Sequence, residues 1–256
     1  VQLPAGVAVL SANAETGAPA DFKLSVNPDK SSTIAIYAGK AAIDIKGEHY
    51  ELVANQALTV SEDGRTGGVR DVPGVPRVNA PQGNQVATFR DLPPRVNFEW
   101  GDVSRAQNYR LEIATDENFE EIIVDEYLDE TAFTHGNLVE GDYYWRVSAR
   151  SGWVQGPVSQ VRRLSVEQDL EAPELELSPI QQVATGEYRL SGRTSPDARV
   201  YVRGEVVEVS ADGTFEYVFS TTPGAQAIVV EAIDPVGNIA SNSQIFYGDT
   251  IASRSN

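Results

Sequence analysis

No stretch of this chain sustains an apolar stripe at helical spacing for three turns, and that absence constrains the fold more than any other feature. The chain carries period two instead. Short runs rich in Val, Ile, Tyr and Phe alternate with polar residues, and clusters of Gly, Pro, Asn or Asp break them about every 8–12 residues. Thr33-Ile34-Ala35-Ile36-Tyr37, Ala41-Ala42-Ile43-Asp44-Ile45, Tyr143-Tyr144-Trp145-Arg146-Val147 and Ala227-Ile228-Val229-Val230-Glu231 are typical. Alternation of this kind places one face of each strand in a core and the other in water, so the spacing predicts an all-β chain.

Charge and cysteine content then exclude whole classes of function. The 256 residues hold 20 Lys and Arg against 37 Asp and Glu, a net charge of −17. Binding to nucleic acid or to anionic lipid needs a basic face, which this balance disfavours. No apolar run approaches the ~20 residues of a membrane span, so direct membrane insertion is not expected. Cysteine is absent, which excludes disulfides, thiol nucleophiles and thiolate metal sites. Methionine is absent too, and with Val at position 1 the chain reads as a processed or truncated piece of something longer, with any signal peptide already gone.

Two proline-bearing stretches, Asp71 to Gln82 and Glu167 to Pro173, are expected as stiff spacers because proline lacks the N–H that a central strand donates. They divide the chain into residues 1–71, 72–168 and 169–250, with a tail at 251–256. Six basic residues face nine acidic ones in 1–71, nine face fifteen in 72–168, and five face thirteen in 169–256. Acidity therefore rises along the chain, and no lysine follows Lys46.

Each segment carries a resemblance. In the first, Gly39-Lys40 is expected to turn one hairpin, Lys46-Gly47-Glu48 a second, and Ala54-Asn55-Gln56 a corner. Over about Val7 to Val69 this pattern resembles the last strands of the FecR family of bacterial envelope proteins, with Leu52-Val53-Ala54 retained. Asn55 stands where that family has glycine, a substitution Asn survives because it tolerates left-handed backbone angles. In the second, Phe98 and Trp100 share one face, as do Tyr109, Leu111 and Ile113, and again Tyr143, Trp145 and Val147. The early Trp, the Tyr-x-Leu-x-Ile strand and the Gly-x-Tyr-x-Trp-Arg-Val strand resemble a fibronectin type III domain, in which these aromatics fill the interior of a sandwich. In the third, Gly192 to Val200, Asp212-Gly213-Thr214-Phe215 and Val230 to Asn238 resemble bacterial Ig-like domains. The resulting expectation is a small FecR-like β-sheet module followed by two β-sandwiches in tandem.

Candidate site residues are few. Trp153 lies in Ser151 to Pro157, a late hairpin loop of the second segment, and is a candidate partner contact. Between Asp116 and Glu130 stand eight acidic residues and no basic one, including Asp116, Glu117, Glu120 and Glu121. They offer a docking face for a basic partner, a loose calcium site, or a solvated edge strand whose charges deter strand-to-strand aggregation. The stretch has no glycine, so it lacks the turn of an EF-hand. Asp234 and Asn238 could join a calcium site, although a local Asx-turn accounts for them more simply. His49 and His135 fall in different segments in turn-like contexts, and no catalytic motif is present.

The chain is therefore expected to be no enzyme. It reads as a scaffold or docking protein that meets another envelope protein through protein–protein contacts, in envelope signalling or the assembly of a larger complex. The resemblances imply a bacterial, periplasmic or cell-envelope location, no cofactor beyond a candidate calcium ion, and no nucleic-acid partner. Two rival readings are a glycan- or peptidoglycan-binding accessory module built on Trp153, and a spacer rod stiffened by calcium.

Overall fold

The computed structural model describes residues 2–3, 6–11 and 20–248. The expected tail at 251–256 lies outside the described residues. All the regular structure described is strand, as the period-two pattern requires. The chain forms two compact units. Of the described residues, one holds those up to 87 and 93–167, and the other holds 88–92 and 168–248.

The first unit begins with β1 (Gln2–Leu3), β2 (Gly6–Ser11), β3 (Asp21–Val26), β4 (Ser32–Ala38), β5 (Lys40–Ile45), β6 (Glu48–Val53), β7 (Gln56–Val60) and β8 (Thr66–Asp71). They build two four-stranded antiparallel sheets, ordered β1-β2-β5-β6 and β3-β4-β7-β8. Between them lies a core of Ile34, Ile36, Ile43, Ile45, Leu52, Leu58 and Val60, closed by Phe22 and Tyr50. The expected hairpin at Gly39-Lys40 is not one. β4 pairs with β3 and β7, whereas β5 pairs with β2 and β6, so Gly39, at φ +86°, carries the chain from one sheet to the other. The Lys46-Gly47 hairpin forms as expected, with both residues at positive φ. Asn55 adopts φ +64°, and its amide donates to the Ile36 carbonyl at 2.7 Å, fixing the corner between β6 and β7.

The unit continues with β9 (Val78–Ala80), β10 (Gln85–Phe89), β11 (Val96–Trp100), β12 (Asn108–Ala114), β13 (Ile122–Leu128), β14 (Ala132–His135), β15 (Gly141–Ser151), β16 (Val154–Val158) and β17 (Arg162–Gln168). One sheet runs β14-β11-β9. The other runs β10-β17-β15-β12-β13, with β16 also on β15. The predicted aromatics fill the space between them. Trp145 and Phe98 are wholly buried and meet edge to face at 5.3 Å, an arrangement that adds about 0.5–1.5 kcal/mol beyond the area buried. Trp100 and Tyr109 meet likewise at 5.7 Å. The Tyr143 hydroxyl donates to the Val139 carbonyl at 2.8 Å, and Arg162 ties β17 to the other sheet by donating to the carbonyls of Val78, Asn79 and Pro81. The two sheets and the aromatic interior between them make the β-sandwich that the alternation predicts.

The stretch expected as the first spacer is folded. Val72 is buried, and Val78 and Ala80 pair with Trp100 and Glu99 of β11. An edge strand tolerates flanking prolines, because only one of its sides must donate.

The second unit contains β18 (Leu175–Leu177), β19 (Gln181–Ala184), β20 (Glu187–Thr194), β21 (Arg199–Val202), β22 (Glu205–Val207), β23 (Thr214–Ser220), β24 (Gly224–Ile233) and β25 (Ile239–Gly248). It is a sandwich as well. β18, β19 and β23 pair with β20 in one sheet, and the other is ordered β22-β21-β24-β25. Leu190, Val200, Val202, Phe215, Phe219, Ile228 and Val230 form its core. Gly213, at φ +84°, makes the turn expected at Asp212-Gly213, where the Asp212 carboxylate accepts from the Thr214 amide and hydroxyl.

Candidate functional site

Within the first unit the two sheet pairs share a seam. Ala35 and Tyr37 of β4, Ala57 of β7, Val72 and Val154 of β16 form one apolar cluster. Strands present side chains on both faces, so β4 supplies the first module's core with Ile34 and Ile36 and the seam with Ala35 and Tyr37. The Tyr37 hydroxyl donates to the Gln155 carbonyl at 3.0 Å. Burial, reinforced by the nearby Asp21 charge, pushes that hydroxyl up to about 12. Gly156 packs against Pro73 so closely that a Cβ there would lie 2.4 Å from the Pro73 carbonyl oxygen. Asp71 and Arg105 pair at the rim.

A groove of about 470 Å³ opens beside this seam. Lys23 on β3 borders it from the first module, and Arg110, Tyr127, Arg150, Trp153 and Gln155 border it from the sandwich. Strand register explains the grouping. Tyr127 stands opposite Arg110 across β13 and β12, and Arg150 stands opposite both Asn108 and Gln155. Beneath lies a charge ladder in which Asp125 accepts two bonds from Arg110, at 2.6 and 2.8 Å, and Glu112 accepts from Arg146 at 3.0 Å. Arg110 holds the Asp125 carboxyl below the usual carboxylate range.

Lys23 donates to Gln155 Oε1 at 2.7 Å, and Gln155 donates in turn to Ser148. Desolvation, and after it the charge of Arg110, hold the Lys23 ammonium below its ordinary value. Among the described residues, neither Lys23 nor Arg150 has a carboxylate within ion-pair distance. The Arg150 guanidinium lies over the Tyr127 ring at 4.4 Å, with Arg110 at 6.0 Å from the same ring.

Trp153 sits where the sequence places it, between β15 and β16, and is 39% exposed. Its indole lies near Asp29, a carboxylate held low first by its bonds to Ser31. The residue therefore walls the groove and joins the two modules. The acidic stretch is divided. Asp116 accepts from the amides of Asn118, Glu120 and Glu121 and so organises the turn between β12 and β13. Glu117, Glu120 and Glu121 are exposed there, Asp125 and Glu126 lie on β13, which ends its sheet, and Asp129 and Glu130 follow it.

Asp234 Oδ1 accepts from the amides of Val236, Gly237 and Asn238, and Oδ2 accepts from Asn238 Nδ2. This is the local Asx geometry, and it leaves little of the carboxylate for an ion. Both histidines lie in strands and not in turns. His49 on β6 pairs with Asp44 at 2.8 Å, whereas His135 ends β14 stacked near Phe133. Among the described residues, no three His, Asp or Glu side chains come together as a metal site. Sequence reasoning found Trp153 but not Lys23 and Arg150. The only signal was that basic residues are scarce.

No family model matches the chain, and no curated protein matches it. Among solved structures it is similar to the fibronectin(III)-like modules of CbhA from Clostridium thermocellum, at 15% identity over 71% of this chain and 97% of that one, TM-score 0.44. It is similar also to the FN1–FN3 domains of chicken CNTN1, at 12% identity over 90% and 98%, TM-score 0.40. A bacterial ice-binding adhesin has the same identity and coverage, with a TM-score of 0.38. These are likenesses of fold.

Proposed function

We propose that the chain is a non-enzymatic docking protein of the bacterial cell envelope, exposed to the periplasm, that holds a partner protein within a signalling or assembly complex. On this reading the first module is FecR-like and the third is Ig-like. The observation that carries it is the seam across β4 and β16, which joins two modules through an apolar cluster and leaves a charged, aromatic groove open beside it. A rigid pair with an open groove suits recognition. The groove brings no nucleophile and base together.

The glycan-binding alternative draws on Trp153, but the neighbouring Tyr127 ring carries the Arg150 guanidinium over one face, where a sugar would have to compete with it. Fractionation of the bacterium that makes the chain, combined with a photo-crosslinking residue scanned through exposed positions such as Val26 and Val206, tests the proposal. Periplasmic recovery and a discrete adduct with one envelope protein are expected. A cytosolic chain, or no discrete adduct at any position, overturns it.

A further inference from the structure

The groove beside the seam is short of negative charge in a chain that has an excess of it. Four cations, Lys23, Arg110, Arg146 and Arg150, surround two carboxylates, Glu112 and Asp125, which are already bonded to Arg110 and Arg146. Among the described residues, Lys23 and Arg150 border the same groove with no carboxylate in ion-pair distance, whereas Arg163 on the neighbouring strand β17 is paired with Asp142 at 2.7 Å. We propose that Lys23 and Arg150 form the receiving site for a carboxylate side chain of a partner protein's acidic segment, with Trp153 as the apolar wall beside it. This rests on the docking reading above and names the chemistry of the partner.

Three features favour a side-chain carboxylate on a polypeptide. The two cations come from separate modules, so their spacing is fixed by the seam and not by flexible loops, and a preorganised pair loses little entropy on binding. Arg150 lies over the Tyr127 ring at 4.4 Å, a contact that restrains the guanidinium, a group suited to bidentate recognition of a carboxylate. An acidic sugar stacking on Tyr127 would have to displace Arg150 from that ring, whereas a carboxylate side chain leaves the contact in place. The overall charge of −17 does not forbid an acidic ligand. At physiological ionic strength the Debye length is about 8 Å, so the adjacent cations outweigh acids farther off.

Burial and three neighbouring arginines hold the Lys23 ammonium below its ordinary value, a repulsion that a bound carboxylate would relieve. Removing these charges costs the empty protein the Lys23–Gln155 bond and the Arg150–Tyr127 contact but no ion pair, which separates a receiving site from a structural salt bridge.

The test uses the full chain, a fluorescent peptide carrying one Glu between apolar residues, its Gln counterpart, and oligogalacturonate as the acidic-sugar probe. Anisotropy should show the Glu peptide binding at least about tenfold more tightly than the Gln peptide, weakening as salt rises. The double variant Lys23→Gln, Arg150→Gln should lose that preference while keeping the parent's circular dichroism spectrum and a cooperative melt. Binding of oligogalacturonate without the Glu peptide overturns the proposal, as do equal binding of the two peptides or a preference that survives the double variant. A discrete envelope adduct in the crosslinking scan alongside any of these results would leave the docking reading standing and remove this site from it.

Discussion

At the residue scale, the paired histidine gives a direct electrostatic check. The Asp44 carboxylate raises the His49 imidazole above its ordinary value, chiefly through their hydrogen bond. A raised pKa in the folded state contributes stability that is fully present below the unfolded value, about 6.5, and is lost as pH rises through the folded value. NMR titration should place the His49 midpoint above 6.5, and Asp44→Asn should bring it down. The stability difference between parent and variant should fade across the same window. Core residues set the other extreme. Phe98 is wholly buried against Trp145, so Phe98→Ala should cost about 3–5 kcal/mol in chemical denaturation.

At the element scale, the β15–β16 hairpin decides whether the first two modules act together. Its Gly156 has no room for a side chain, and a methyl group at Gly156→Ala would press on the Pro73 carbonyl. The variant should lose about 1–3 kcal/mol. Hydrogen exchange should show the loss at β4 and β16, while the amides around Trp145 keep their protection. Much at this scale was legible in the sequence. Period-two alternation located the strands, and the parity of Phe98, Trp100, Trp145 and Val147 marked the interior of the sandwich. The turn at Gly39 was misread for a physical reason: a glycine between two alternating strands serves a hairpin and a corner between sheets equally well, and only distant pairing partners distinguish them. The spacer reading of residues 71–82 failed because the prolines flank a short edge strand. Lys23 and Gln155, 132 positions apart, could not be joined by local spacing at all, and so the charged groove escaped notice while the loop tryptophan beside it did not.

At the scale of the whole molecule, acidity and calcium are the questions. The acidic residues are spread over turns and strand edges, where they solvate the surface and discourage edge-to-edge association. The Asp234 carboxylate is occupied by three amides and a side-chain amide. Melting in millimolar calcium and in chelator should therefore coincide, and a rise of several degrees with calcium would restore the stiffened-rod reading. Asp234→Ala should instead lower the stability of the second unit by about 1–2 kcal/mol, because those amides lose their acceptor.

The shared cluster of Ala35, Tyr37, Ala57, Val72 and Val154 has a consequence for how such a chain can be rearranged. A break in the gene after residue 71 would leave each fragment with a strip of oily surface made for the other, and neither would pass unaltered into a new host protein. The two modules are thus heritable as a single cassette.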